Sequence, residues 1–159
     1  MNDRTHYFDF IVESNKIEGI NRAPTTEEFH EFVRFMDLPS ITIEELQAFV
    51  KVYQPDAQLR DKVGLNVRVA NHIAPRGGEQ IPKMLQQILD NEQGLDAYTI
   101  HCDYEYLHPF TDGNGRSGRA LWAWMMKHDG LELGFLHRFY YQSLDKWRQI
   151  MSNTVINER

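Results

Sequence analysis

The residues with the clearest potential for chemistry lie in one short stretch, HPFTDGNGRSGR at positions 108–119. His108 is the group in this stretch that most readily accepts a proton near neutral pH. Gly113 and Gly115 allow close approach of the backbone, so successive amide groups can point into one concavity at the start of a following helix. Because such a helix N-terminus favours phosphate, the stretch predicts an anion site beside a base.

Two cations and one carboxylate complete the stretch. Arg116 and Arg119 lie three residues apart, so we expect both guanidinium groups to project from one helix face beside the loop. Two such groups beside a ring of amides indicate a polyphosphate. Asp112 supplies an oxygen ligand at the place where a magnesium ion bridging phosphates and protein is needed. Together these residue types indicate phosphoryl or nucleotidyl transfer.

Other sites built on glycine-rich turns fit the sequence less well. An EF-hand calcium loop would need acidic ligands where His108, Phe110 and Arg119 stand. A Walker loop would need the pattern GxxxxGK followed by Ser or Thr, which is missing. A purely structural turn before a helix stays an alternative on these residues alone.

The stretch matches the signature HxFx(D/E)GNGRxxR of the Fic family at every fixed position. The chain thus resembles Fic proteins, and the resemblance implies an all-α fold, a helical bundle with a small β-hairpin flap over the active site. It also implies a nucleotidyltransferase, a protein adenylyltransferase that uses ATP and Mg²⁺ to attach AMP to a Ser, Thr or Tyr hydroxyl of a protein. Relatives that transfer phosphate or phosphocholine share the fold, so the fold alone does not fix the reaction.

The resemblance also implies a role for each residue of the catalytic loop at positions 108–119. His108 would deprotonate the target hydroxyl, Phe110 would anchor the loop in the core, and Asp112 would bind magnesium. The phosphates of ATP would be bound by Gly113, Asn114, Gly115, Arg116 and Arg119. Doc-like kinases depart from GNGR at the second glycine, which this chain keeps, and this favours AMP transfer.

A second motif precedes the predicted core. Ser14, Glu18 and Gly19 match the family's inhibitory pattern (S/T)xxxE(G/N). The resemblance implies that an N-terminal helix over residues 1–19 pairs Glu18 with Arg119, where the γ-phosphate of ATP would bind, so we expect a weakly active resting protein. In some relatives the same glutamate serves removal of AMP. A de-AMPylating hydrolase and a catalytically silent nucleotide-binding regulatory module therefore stay as alternatives.

The remaining elements must position these motifs. Helical periodicity and capping patterns predict a series of helices: one ending near Glu18, two opening at Thr25 and Thr42, one starting at Pro82 and ended by Gly94, and three over 95–107, 115–127 and 140–154. Alternating residues between Leu65 and Ile81 predict the hairpin flap, residues 65–81.

In the Fic family a hairpin of this kind clamps a target segment as an additional strand, which implies a docking edge in this chain. The predicted docking edge comprises Val67, Arg68, Val69, Ala70, Asn71, His72, Ile73 and Ala74. The partner would be a protein with a hydroxyl side chain, either another protein or the chain itself. The sequence leaves the oligomeric state open.

Composition bounds the remaining possibilities. A length of 159 residues predicts a single domain over 1–159. With a net charge of −6 and no basic cluster we expect no nucleic-acid partner. No apolar run approaches the roughly 20 residues of a membrane helix and no secretory signal is visible, so we expect a cytoplasmic protein without a membrane partner. Cys102, the single cysteine, and His101 are expected to be buried core residues.

Overall fold

The computed structural model describes residues 3–131 of the chain. This part contains six α-helices and one antiparallel hairpin, which confirms the predicted all-α class with a small hairpin. In chain order the elements are α1 (Asp3–Ile17), α2 (Thr26–Met36), α3 (Ile43–Tyr53), β1 (Arg68–Val69), β2 (His72–Ile73), α4 (Gln80–Asp90), α5 (Ala97–Leu107) and α6 (Asn114–His128). The helix predicted over 140–154 lies outside the described residues. Among the helices of the described part, none has both the length and the apolar character needed to cross a bilayer.

The starts of α2 and α3 follow from their capping residues. Thr25 and Glu28 form the predicted capping box: Thr25 Oγ1 accepts from Glu28 N at 3.1 Å, and Glu28 Oε1 accepts from Thr25 N at 2.8 Å. Thr42 accepts from Glu45 N at 3.2 Å through its hydroxyl. Both helices therefore begin where the sequence predicted.

The ends of α1 and α4 are followed by residues in the left-handed conformation. Gly19, with a φ of 76°, follows the end of α1 at Ile17 as predicted. The prediction that α4 extends to Gly94 is wrong. The helix ends at Asp90, because Asn91 adopts the left-handed conformation and its N–H donates to the carbonyl of Gln87.

The core is built around α6, which packs against α1, α2, α3 and α5. α1 is an integral part of this core, since Tyr7, Phe10 and Ile11 are all buried. Burial of each such side chain stabilises the fold by about 1.5–3 kcal/mol, which fixes α1 to the rest of the domain. Cys102 and His101 are buried as predicted, and Nδ1 of the histidine is hydrogen-bonded to Gly118 O at 2.8 Å.

Candidate active site

The catalytic loop between α5 and α6 is held in place by Phe110. Its ring is buried, and its backbone forms an antiparallel bridge with Leu59. Both polar groups of its peptide unit are bonded to the side chain of Asn114: Oδ1 accepts from Phe110 N at 2.9 Å, and Nδ2 donates to Phe110 O at 2.7 Å. The amide side chain of Asn114 is thus used within the loop, which leaves its backbone for the anion site.

His108 directly follows α5 in the left-handed conformation, with a φ of 48° and a ψ of 66°. Its backbone N–H donates to Tyr104 O at 3.0 Å, and its ring Nδ1 is hydrogen-bonded to Glu105 O. Because a carbonyl oxygen only accepts, Nδ1 carries the ring proton. In the neutral ring Nε2 is then the nitrogen that can accept a proton, as a general base must.

A cavity of about 410 Å³ brings most of the predicted site residues together. It is lined by Ile17, Glu18, Val67, Arg68, Val69, Glu105, His108, Thr111, Asp112, Gly113, Asn114, Gly115 and Arg119. The end of α1, the hairpin, the end of α5 and the start of α6 therefore contribute to one volume. Eight predicted site residues do not line it: Ser14, Gly19, Arg116, Ala70, Asn71, His72, Ile73 and Ala74.

The start of α6 is the part of this cavity that is chemically suited to an anion. Gly113, with a φ of 77°, is the N-cap residue and offers no side-chain acceptor to the first amide groups of the helix. Its own N–H already donates to Asp112 Oδ1 at 2.8 Å. The amides available to an anion are therefore those of the first turn, at Asn114 and Gly115, where the helix dipole also attracts negative charge.

The carboxylate of Glu18 lies at this helix start. Glu18 Oε1 accepts from Arg119 Nη2 at 2.8 Å, and a Cβ atom at Gly115 would lie only 2.4 Å from the same oxygen. The Arg119 guanidinium also donates to the hydroxyl of Ser14 at 2.8 Å and to its carbonyl at 3.0 Å. A side chain at position 115 would therefore clash, and the glycine lets a carboxylate lie against the helix start where phosphate would bind.

Arg116 does not share this face, contrary to our expectation from its spacing. Its guanidinium donates to Tyr53 O and to Gln54 Oε1, both at 2.9 Å, and lies 3.6 Å from the carboxylate of Glu28. It also lies over the ring of Tyr53, 5.4 Å from the centroid. The reason is that the end of α3 and a buried carboxylate offer it acceptors inside the core. Burial lowers the pKa of Arg116, against the opposing effect of Glu18 and Glu28.

A family model described as Fic/DOC matches residues 35–126, more than half of the chain. The chain belongs to the Fic/DOC family. The matched part contains the hairpin, α5 and the catalytic loop, whereas the inhibitory pattern at Ser14 to Gly19 precedes it. No curated protein matches the chain closely enough to count as a relative.

The hairpin of this Fic/DOC protein is only partly exposed. β1 pairs with β2 in the register Arg68 with Ile73 and Val69 with His72. Val69 and Ile73 are exposed, but His72 and Ala74 of the predicted docking edge are buried. The outward side of the hairpin can meet a partner, while its inward side contacts the body of the Fic/DOC domain.

Sequence reasoning missed Arg60, because no motif or spacing pattern distinguishes it. Its side chain is fully buried, with 0% exposure, and burial lowers its pKa. The guanidinium donates to four backbone carbonyls, those of Leu65, Pro75, Leu107 and His108. Arg60 is followed by a segment without helical periodicity. The sequence therefore does not indicate that its side chain is buried and bonded to these carbonyls.

Proposed function

We propose that this Fic/DOC protein transfers AMP from ATP to a Ser, Thr or Tyr hydroxyl of a protein, and that Glu18 inhibits the reaction. The observation that carries the proposal is the position of His108. Its Nδ1 is hydrogen-bonded to Glu105 O, and its ring lines the same cavity as the first turn of α6. A base and an anion site therefore face one volume, as nucleotidyl transfer requires.

In this reaction the hydroxyl oxygen of the target attacks the α-phosphorus of ATP, and the hydroxyl proton goes to Nε2 of His108. The bond from the α-phosphorus to the oxygen that bridges it to the β-phosphate breaks, and pyrophosphate leaves. AMP stays bonded to the target oxygen. The first-turn amides of α6 and the guanidinium of Arg119 stabilise the charge on the phosphates, so the protein contributes mainly position and electrostatics.

Asp112 is the residue that would bind Mg²⁺. Its carboxylate is exposed at the cavity and accepts one hydrogen bond, from Gly113 N, so lone pairs remain for a metal. Magnesium is usually bound by one or two carboxylates together with substrate phosphates and water, which fits a single aspartate. Among residues 3–131 no group of three or more His, Cys, Asp or Glu side chains forms a complete metal cage. When bound, the ion would neutralise charge on the transferring phosphates.

The hairpin would hold the protein target. Arg68 and Val69 of β1, with Val67 just before the strand, line the cavity, so a strand added alongside β1 would carry its hydroxyl towards His108. The partner would accordingly present an extended segment with a Ser, Thr or Tyr side chain.

A second candidate function is hydrolytic removal of AMP from a modified protein. It is favoured by Glu18, which lines the same cavity as His108 and has a side chain that is 40% exposed, so its carboxylate could orient a water molecule. The two functions respond oppositely to Glu18→Gln: transfer rises and removal falls. Label from ATP labelled in the α-phosphate, followed into protein and out of pre-labelled protein, tests both.

A further inference from the structure

Arg60 lies between α3 and the hairpin, and its guanidinium contacts three separate segments of the backbone. Nη1 donates to Leu65 O at 3.0 Å and to Pro75 O at 2.7 Å. Nη2 donates to Leu107 O at 2.7 Å, and Nε donates to His108 O at 2.5 Å. Its partners within residues 3–131 are thus carbonyl oxygens, which compensate a buried cation through directed hydrogen bonds.

These carbonyls lie at the end of α5 and at the two ends of the hairpin. Leu107 and His108 end α5, where carbonyls lack helical partners and the helix dipole favours a cation. Leu65 and Pro75 precede and follow the two strands of the hairpin. One side chain therefore joins both ends of the hairpin to the residue that carries the base.

The backbone of His108 needs such support. A residue other than glycine is strained in the left-handed conformation and persists there only when its surroundings hold it. The N–H of His108 is bonded to Tyr104 O, and its carbonyl is bonded to Arg60 Nε. Because the direction of the imidazole follows from this backbone, Arg60 sets where Nε2 of His108 lies relative to the cavity.

His72 supplies a second connection between the hairpin and α5. Its Nε2 donates to Tyr106 O at 2.8 Å, and its ring lies 4.9 Å from the Tyr106 ring and 5.9 Å from the His108 ring, between centroids. The carbonyls of residues 106, 107 and 108 thus accept hydrogen bonds from the side chain of His72, in the hairpin, and from that of Arg60, which precedes the hairpin.

We propose that Arg60 is a positioning residue for the transfer reaction. It fixes the position of Nε2 of His108 relative to the hairpin. A target strand docked on the hairpin is then held at a constant distance and orientation from this general base. The inference rests on the proposed function. None of the bonds of Arg60 reaches the first turn of α6 or Arg119, so its loss acts on the rate of the chemical step and leaves ATP binding nearly unchanged.

The test compares Arg60→Lys with Tyr53→Phe, each in the Glu18→Gly background. Lysine keeps the charge but offers its donors from a single nitrogen, so it cannot reproduce four directed bonds. The control removes the hydrogen bond from Tyr53 Oη to Glu28 O, which is buried and does not involve the hairpin. With self-labelling from ATP as readout, we expect Arg60→Lys to lower the maximal rate about 10- to 100-fold, with the half-saturating ATP concentration within about twofold. Tyr53→Phe should keep the rate.

Hydrogen exchange gives a readout that does not need activity. The amide of Ala74 donates to Val67 O at 3.3 Å and reports closure of the hairpin. We expect Arg60→Lys to speed its exchange several-fold more than exchange in α2, whereas Tyr53→Phe should not. His72→Ala should also speed this exchange. It removes no buried charge, so it provides the measurement if Arg60→Lys fails to fold.

The outcomes separate the two proposals. Absence of label in the Glu18→Gly background counts against AMP transfer, while hairpin exchange still decides the role of Arg60. If neither Arg60→Lys nor His72→Ala speeds hairpin exchange selectively, or if the rate falls equally in Tyr53→Phe, Arg60 is an ordinary stabilising residue and the inference is overturned.

Discussion

Oε1 of Glu18 lies 2.8 Å from Nη2 of Arg119, and this ion pair joins the end of α1 to the second turn of α6. The two partners differ in their surroundings, since 4% of the Arg119 side chain and 40% of the Glu18 side chain are exposed. The cation is fixed by three hydrogen bonds that also involve Ser14. The helix α1 is fixed by its core residues, whereas the carboxylate of Glu18, one residue beyond the helix, is bound by Arg119.

Glu18→Gln should raise the rate of AMP transfer. The substitution keeps the size of the side chain and removes the charge that competes with phosphate for Arg119 and the start of α6. For a coupling of ordinary size the increase is about 5- to 150-fold, measured as incorporation of α-labelled AMP at an ATP concentration well below half-saturation.

Glu13→Gln is the matched control for this prediction. Glu13 lies on α1 with 39% of its side chain exposed, and among residues 3–131 it forms an ion pair with Lys16, at 3.6 Å, away from the cavity. Its substitution should leave the rate at the parent level. An equal response of the two variants would mean that general effects on α1, and not the pair with Arg119, control activity.

Substitution of Arg116 should lower the stability of the fold, whereas substitution of Arg119 should weaken nucleotide binding. Arg116→Met removes a guanidinium buried against Tyr53 O, Gln54 and Glu28, and should lower the free energy of unfolding by about 3 kcal/mol. Its affinity for ATP, measured by calorimetry in the Glu18→Gln background, should stay within about twofold. Arg119→Met in the same background should weaken ATP binding at least about tenfold. Equal losses of affinity would show that Arg116 contacts the nucleotide after all.

Glu28 should make stability depend on pH in the acid range. Burial acts to raise the pKa of Glu28, but hydrogen bonds from Arg22 and from Thr25 outweigh it, so its folded-state pKa lies below the usual 4.5. A depressed pKa contributes stability above the unfolded value, and this contribution is lost as pH falls through the folded value. Urea unfolding from about pH 6 to about pH 3 should therefore show a steeper decline for the parent than for Glu28→Gln.

Glu27→Gln controls for the removal of a carboxylate from the first turn of α2. Glu27 is exposed, whereas Glu28 is bonded to Arg22 Nη1 at 2.7 Å. The control should follow the parent curve. A Glu28→Gln curve that is as steep as that of the parent would exclude this carboxylate as a source of the acid sensitivity.

The sequence predicted those parts of the structure that local rules control. The capping box at Thr25 and Glu28, the glycine after α1 and the helix before His108 depend on residues close in sequence, and they appear as expected. Six predicted site residues of the loop motif line one cavity because they lie close together in sequence, whereas Arg116 does not line it; the six are His108, Asp112, Gly113, Asn114, Gly115 and Arg119.

Contacts between residues that are distant in sequence were harder to predict. A spacing of three residues could not show that Arg116 would find acceptors at the end of α3, since that depends on how α3 and α6 pack. Arg60 was missed for the same reason, because its four acceptors come from three separate segments. Asn91 ended α4 early because it adopted the left-handed conformation in place of a glycine.

The most direct test of AMP transfer inhibited by Glu18 measures both label incorporation and intact mass. Purified parent, Glu18→Gly, and Glu18→Gly combined with His108→Ala would be incubated with magnesium and ATP labelled in the α-phosphate, and their intact masses measured. We predict label and the added mass of AMP on Glu18→Gly, little on the parent, and none on the double variant, because loss of a general base lowers the rate about 10²- to 10⁴-fold. Label that persists without His108, or ATP binding without label in any variant, would contradict the account.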